Sequence, residues 1–317
     1  KFFLSLVIVF FSFVLFFIPK DAFAVLCSSI VNPSGNWNTA GTWGCGHVPV
    51  TGDGVTITAG DTVTMDVASA VLGAITINGT LNTSNGTSWG LSGTTVNISS
   101  TGILTANAST ITLSGTSGTL FTKHASGTFT AGTSTVVLSG NGDVTVNSGT
   151  VSFANLTSSG TGTKTLGGAV TVGTNFVLSA GTFAPSTLSF TIVDLVLPTG
   201  TTLALSSGSL TVTGTSSITG TLTDSSSTGT NLFTGAVTLN NGSNWSSSGN
   251  SAFEFRGGLT VNSTSTFSSG SGQYTFSTNA QTIAGTQAYT ITDLKNSITT
   301  GNGLTFTTNN PTVTTLT

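Results

Sequence analysis

Short runs of alternating apolar and polar residues recur along most of the chain. Examples are GAITING from Gly73, GDVTVNS from Gly142, GAVTVGT from Gly168 and GSLTVTG from Gly208. Each run is bounded by Gly, Asn or Ser, which is typical of a short β-strand between two turns. Alternation with a period of two places the apolar side chains on one face of a strand. The pattern therefore predicts an all-β protein made of many short strands.

A longer internal repeat indicates how these strands are arranged. Residues 134–156 align without gaps to residues 272–294, and apolar positions coincide, for example Leu138 with Phe276. The offset of about 138 residues is close to six units of about 23 residues, and periods of 20 to 50 residues are typical of solenoids. A single unit cannot bury its own apolar face, but stacked units cover one another.

The sequence therefore predicts a parallel β-solenoid, most simply a right-handed β-helix. We expect a signal peptide at residues 1–24, an amino-terminal capping segment at residues 25–92, and solenoid repeats at residues 93–317 that continue beyond the given sequence. The competing prediction is a string of small antiparallel sandwiches, but no linker interrupts the repeats.

The composition supports this fold class and excludes some functions. The chain has 317 residues, of which only 5% are charged and 37% are hydrophobic, so it is not a disordered polar linker. Without residues 1–24, four basic and eight acidic residues remain. Because such a chain has no basic patch, we expect no binding to nucleic acid.

The first residues predict secretion. Phe2 to Ile18 is almost entirely apolar, and the Ala-Phe-Ala sequence that ends at Ala24 is a signal-peptidase site. We expect cleavage there and no membrane span in the mature chain, the alternative being an uncleaved anchor. In an oxidising compartment, Cys27 and Cys45 are a candidate disulfide. A metal pair or reactive thiol that uses both cysteines with His47 is the other interpretation.

The body of the chain resembles the Thr/Gly/Ser-rich β-strand-repeat proteins of bacterial surfaces. The resemblance runs from about Gly93 to the end and is carried by phrases such as FANLTSSGTGTKTLGGAVTVGTNFVLSAGTF, residues 153–183. It implies an extracellular, adhesin-like protein. We therefore expect a secreted or cell-surface stalk that contacts glycans or other surface ligands and is not an enzyme.

The segment GNWNTAGTWGCGHVPVTGDGVTITAGDTVTMD, residues 35–66, resembles the start of the eight-glycine domain, a β-rich extracellular module. The resemblance covers about 50 residues, fades after Asn82, and implies polysaccharide binding or processing. The local residues favour a cap, in which two tryptophans cover the open end of the solenoid. Alternatively, exposed tryptophans contact glycans, and the candidates are Trp37, Trp43, Trp89 and Trp245.

Three aspartates in the same segment, Asp53, Asp61 and Asp66, form the only acidic cluster. They are the candidates for an alternative function, a polysaccharide lyase or hydrolase, and for a weak Ca²⁺ site. No other cofactor is expected, because Gly-Asp turns are common structural features. A further hypothesis is an ice-binding face, suggested by Thr-x-Thr phrases such as residues 62–64, although the uneven spacing of these phrases argues against a regular array.

Overall fold

The computed structural model describes residues 24–301, 303–308 and 310–317. The predicted signal peptide lies outside these residues except for Ala24. Strands and turns make up the described part of the chain, apart from one 3₁₀ turn at Ala40–Thr42. Nowhere in those residues is there a helix with the length and apolarity needed to cross a membrane.

The strands are short and are numbered in chain order. They are β1 (Leu26–Ser28), β2 (Ser34–Asn36), β3 (Gly54–Ile57), β4 (Thr62–Thr64), β5 (Ala74–Ile77), β6 (Thr80–Asn82), β7 (Leu91–Gly93), β8 (Thr95–Ile98), β9 (Ile103–Thr105), β10 (Thr110–Leu113), β11 (Thr119–Lys123), β12 (Thr128–Thr130), β13 (Thr135–Leu138), β14 (Val144–Ser148), β15 (Val151–Ser158), β16 (Thr163–Gly167), β17 (Val170–Leu178), β18 (Thr182–Ser186), β19 (Phe190–Ile192), β20 (Leu195–Leu197), β21 (Thr202–Leu205), β22 (Leu210–Val212), β23 (Ser216–Ile218), β24 (Thr221–Asp224), β25 (Thr230–Phe233), β26 (Val237–Leu239), β27 (Asn244–Ser247), β28 (Ala252–Phe255), β29 (Leu259–Val261), β30 (Thr266–Ser268), β31 (Gln273–Thr278), β32 (Gln281–Gly285), β33 (Thr290–Ile298), β34 (Leu304–Phe306) and β35 (Thr312–Leu316).

These strands form three sides of a solenoid, which the chain visits in the order A, B, C. Side A begins with β1, β3, β5 and β8 and continues to β30. Side B contains β2, β4, β6, β9 and β12, and later β19, β22, β25, β28 and β31. Side C contains β7, β10 and β13, and later β20, β23, β26, β29, β32 and β34. Strands β15 and β17 continue from side B to side C without a break.

The predicted parallel solenoid is confirmed, with about 12 turns. Every pairing between the named strands is parallel, so the prediction of antiparallel sandwiches is wrong. A turn takes about 20 residues, since Thr182 pairs with Thr202 and Thr202 with Thr221. Glycines allow the turns to approach closely at the corners: a Cβ at Gly102 would lie 2.0 Å from the carbonyl oxygen of Ile77.

The interior is a continuous apolar column because alternate residues of each strand point inward. Val55, Ile75 and Val96 occupy one register position on side A, and all are buried. In the later turns this column becomes aromatic. The rings of Phe233, Phe255 and Phe276 stack in register on side B, with centroids 5.6 and 5.1 Å apart. Each turn therefore shields the apolar side chains of its neighbours, as the alternation predicts.

The two aligned segments of the internal repeat do not occupy equivalent sides. In residues 134–156, the first strand is β13 on side C, whereas in residues 272–294 it is β31 on side B. The following strands are displaced in the same way, β14 on side A against β32 on side C. The predicted unit of about 23 residues is also longer than the turn of about 20. The alternating phrase is thus a unit of one side and not of one turn.

On the outside of side A, threonines stack in register. Thr163, Thr182, Thr202 and Thr221 are consecutive partners, and the neighbouring column contains Thr165, Ala184, Ala204 and Thr223. Uneven spacing in the sequence therefore does not prevent a regular array, because the corners absorb the differences in length. The argument from spacing against such an array is wrong.

Candidate functional site

The first turn is closed by an antiparallel cap. Residues 42–44 fold back onto the free edge of β1, where Ser29 and Trp43 form an antiparallel bridge. The Ile30 amide donates to the Thr42 carbonyl at 3.0 Å, and the Gly44 amide donates to the Ser28 carbonyl at 2.8 Å. Because an exposed strand edge can pair with other chains, this bridge protects the end of the solenoid. The cap is shorter than predicted, since β3 to β7 within residues 25–92 are already solenoid strands.

Trp37 and Trp43 form the apolar part of this cap. Both are only 1% exposed, and their rings meet edge to face with centroids 4.9 Å apart. The Trp43 indole Nε1 donates to the Trp37 carbonyl at 2.8 Å, which satisfies its one polar group. The side chains are therefore not available to a ligand, and the prediction that they contact glycans is wrong.

The other two candidate tryptophans also differ from the predicted exposed platform. Trp245 is fully buried among aromatic rings, so the predicted glycan contact is wrong for this residue as well. Trp89 is half-buried and packs against the core, and its Nε1 donates to the Asn85 side chain at 3.1 Å. Of the four tryptophans, Trp89 alone keeps a partly exposed ring.

Cys27 and Cys45 form the disulfide that the sequence predicts, with a sequence separation of 18 residues. The bond joins β1 to the segment that follows Trp43. Cys27 is buried and Cys45 is half-buried. It therefore fixes the cap to the first strand of side A.

Asp53, Asp61 and Asp66 each hold a different part of the amino-terminal segment. Asp53 accepts hydrogen bonds from the amides of Val25 and Val50, at 2.9 and 3.0 Å. Asp61 accepts one from the Ser29 hydroxyl, and Asp66 one from the Asn38 amide.

The three carboxylates do not converge. Among the described residues, the group of metal-binding side chains that could share one ion includes neither Asp61 nor Asp66. The expected shared Ca²⁺ site is therefore not assembled by these three residues.

A polar groove, which the sequence analysis did not identify, lies at the corner between sides C and A. It has a volume of about 500 Å³ and is lined by the residues that follow β26, β29 and β32, namely Asn240, Asn241, Asn262, Ser263 and Thr286. The Asn240 amide donates to Ser217 Oγ at 2.9 Å, and Ser263 Oγ donates to Asn241 Oδ1 at 3.3 Å. Side-chain amides both donate and accept hydrogen bonds, which suits a neutral ligand with many hydroxyls. The recurrence of Asn directly after Val-Thr-Leu and Leu-Thr-Val phrases was the available sequence signal.

Two buried charged residues also lie at inward positions of the alternation. Lys164 is fully buried, and its Nζ donates to the carbonyls of Gly142 and Gly162 at 3.1 and 3.2 Å. Burial lowers the pKa of this ammonium, an effect that the nearby Asp143 partly opposes. Asp224 is likewise buried, and its pKa is raised by burial. Each is satisfied by protein groups of its own turn or a neighbouring one, which indicates a structural role.

Comparison with protein-family models relates part of this solenoid to a known module. Residues 42–178 match the model of the G8 domain, which is the eight-glycine domain of the sequence analysis. The match continues well past Asn82, to the last residue of β17, and strand pairing continues without a break through residues 92 and 93. Comparison with the curated proteins and with the solved structures found no match. Residues 42–178, less than half of the chain, are thus a G8-like segment that contains part of the cap and the first turns of the solenoid.

Proposed function

We propose that this protein is a non-catalytic, stiff spacer, secreted or displayed on a cell surface, which holds a glycan-binding surface away from its point of attachment. The main support is the unbroken parallel pairing of side A from β1 to β30, which leaves no flexible joint in that part of the chain. About 12 turns, each rising about 4.8 Å, give a rod about 60 Å long. The G8-like segment fits an extracellular stalk of this kind.

The length of the particle in solution tests the spacer proposal. Small-angle X-ray scattering of the mature chain is expected to give the profile of a rod with a long axis of about 60 Å or more. Scattering typical of beads on a flexible string would contradict it.

For the glycan contact, the groove at Asn240, Asn241 and Asn262 is the best-supported surface. Three consecutive turns contribute to it, and its polar lining carries no charge. We expect Asn241→Ala together with Asn262→Ala to abolish retention on an array of neutral polysaccharides. Asn141→Ala is the matched control, because Asn141 is an exposed residue at the same corner of an earlier turn, outside the groove. Equal retention of both variants would overturn this assignment.

Polysaccharide cleavage at Asp53, Asp61 and Asp66 is the alternative function. The carboxylates of Asp53 and Asp61 are largely buried and are engaged by the amino-terminal segment. Cleavage of a polysaccharide panel by the purified chain, abolished by Asp66→Asn, would favour this enzyme over the spacer.

The threonine columns of side A favour ice binding as a second candidate. Four consecutive turns present Thr163, Thr182, Thr202 and Thr221 in register. Thermal hysteresis that disappears in Thr182→Lys and Thr202→Lys would support this function, and wild-type protein without hysteresis would exclude it.

A further inference from the structure

Four side chains with different donor atoms converge beneath the cap. The ligand atoms of Cys27, Cys45 and His47 all lie within 4.8 Å of one another. Asp53 completes the group, because its Oδ2 lies 3.7 Å from Cys27 Sγ and 3.8 Å from His47 Nδ1. The cluster therefore brings together two sulfur atoms, one imidazole nitrogen and one carboxylate oxygen from β1, the cap and the turn before β3.

This set of donors matches the chemistry of zinc. Zn²⁺ is usually bound by four ligands drawn from Cys sulfur, His nitrogen and Asp or Glu oxygen. In the oxidised protein the sulfurs are bonded to each other and are not thiolate ligands. We infer that reduction of the Cys27–Cys45 disulfide turns this cluster into a zinc site with Cys27, Cys45, His47 and Asp53 as its ligands.

The surroundings of Asp53 support a ligand role. The residue is 1% exposed, and the Val25 and Val50 amides donate to its two carboxylate oxygens. Hydrogen bonds of this kind orient a carboxylate toward a metal. The carboxylate therefore keeps its position beside the sulfurs, whichever form the cysteines take.

His47 is placed to move onto the metal. Its side chain is 45% exposed, and Nδ1 contacts the Val48 carbonyl at 2.9 Å. Because the ring is not packed on all sides, it can rotate and present a nitrogen to zinc. The burial of the other donors leaves His47 as the solvent-facing ligand.

The conversion requires a dithiol reductant and balances as follows. A thiolate of the dithiol attacks Sγ of Cys45, the more exposed sulfur, and Cys27 leaves as a thiolate that takes up a proton. The second thiol of the reductant then displaces Cys45 as a thiol, and the reductant leaves as a cyclic disulfide. Zn²⁺ binding releases one proton from each cysteine without any further change in oxidation state.

The cap would thus be cross-linked in both redox states. The disulfide joins Cys45 to β1 in the oxidised state, and zinc would join both of them to Asp53 in the reduced state. An extracellular protein that enters a reducing compartment or niche would keep its end closed.

Metal titration of the full chain tests this inference. After reduction with dithiothreitol and anaerobic removal of the reductant, we expect one equivalent of Zn²⁺ to bind, measured by competition with a chromophoric chelator. Co²⁺ should give the absorption of a tetrahedral thiolate complex. The oxidised chain should bind neither metal at this site.

Substitutions separate a four-ligand site from binding by the two thiols alone. We expect His47→Ala and Asp53→Asn each to weaken zinc binding by about tenfold or more. His124→Ala is the matched control, since His124 is an exposed histidine on a later turn, and it should bind like the wild type. If Asp53→Asn fails to fold, His47→Ala still decides, because that side chain is half exposed. Absence of zinc binding by the reduced chain, or unchanged binding by His47→Ala, would overturn the inference.

Discussion

The indole Nε1 of Trp245 donates a 3.0 Å hydrogen bond to the hydroxyl of Tyr274 inside the solenoid. Trp245 belongs to β27 on side A and Tyr274 to β31 on side B, so the bond crosses the interior between successive turns. Both residues are fully buried. The aromatic part of the core therefore contains polar groups that are satisfied only by each other.

Removing the acceptor should be costly. Tyr274→Phe leaves the Trp245 N–H without this partner, and we expect the free energy of unfolding to fall by about 1 to 3 kcal/mol. Urea denaturation followed by tryptophan fluorescence measures the change. Tyr289→Phe is the control: the Tyr289 hydroxyl is buried and has no hydrogen-bond partner among the described residues, so its loss should cost little. Equal destabilisation by both substitutions would contradict the role of the hydrogen bond.

The aromatic stack on side B should be a main source of stability in the later turns. Phe255 lies between Phe233 and Phe276, and Phe255→Ala opens a cavity inside this stack. The expected loss is about 3 to 5 kcal/mol in the free energy of unfolding. Phe306→Ala, at a residue that is 39% exposed, should cost far less. A similar loss for the two variants would show that stacking in the column is unimportant.

Reduction of the Cys27–Cys45 disulfide should destabilise the cap. For a loop of this size, the chain-entropy estimate is about 3 kcal/mol. The measurement is chemical denaturation in the presence of a metal chelator, so that zinc cannot replace the bond. A variant with both cysteines changed to serine should not respond to the reductant. Unchanged wild-type stability after reduction would show that the other cap contacts suffice.

Asp224 should make stability depend on pH. Burial raises the pKa of its carboxyl above the ordinary value, although hydrogen bonds from Ser226, Asn231 and Ser251 oppose this shift. The folded state therefore binds the proton more tightly than the unfolded state. It follows that the contribution of Asp224 to the unfolding free energy rises as pH falls from neutral through the folded-state pKa, and levels off below the unfolded-state pKa.

Comparison with Asp224→Asn isolates this contribution, since the variant lacks the titrating group but shares all others. The difference in unfolding free energy, wild type minus variant, should increase on acidification. A difference that stays constant or decreases would contradict the raised pKa.

The fold could be predicted from the sequence because alternation and Gly-rich corners are local signals. Val55 and Ile57, for example, reveal their inward positions by alternating with threonine. The number of sides could not be predicted, since the phrases on sides A, B and C use the same residues. The phrase at Leu138 and the one at Phe276 look equivalent and yet lie on different sides.

The site was predicted less completely. The Cys27–Cys45 pair follows from secretion and cysteine count, whereas the position of Asp53 beside both sulfurs depends on how turns of the solenoid stack. The burial of Trp37 and Trp245 has the same origin. Sequence spacing gives the strand on which a residue lies, but the neighbours of that residue come from turns about 20 residues away.

The displacement of the internal repeat by one side has an evolutionary consequence. If one phrase can serve any of the three sides, then unequal recombination need not occur in whole turns to leave a foldable chain. Gain or loss of a single phrase would rotate everything downstream by a third of a revolution and still keep the apolar residues inside. The direction in which a surface such as the amide groove faces can therefore change in one genetic event without redesign of the core.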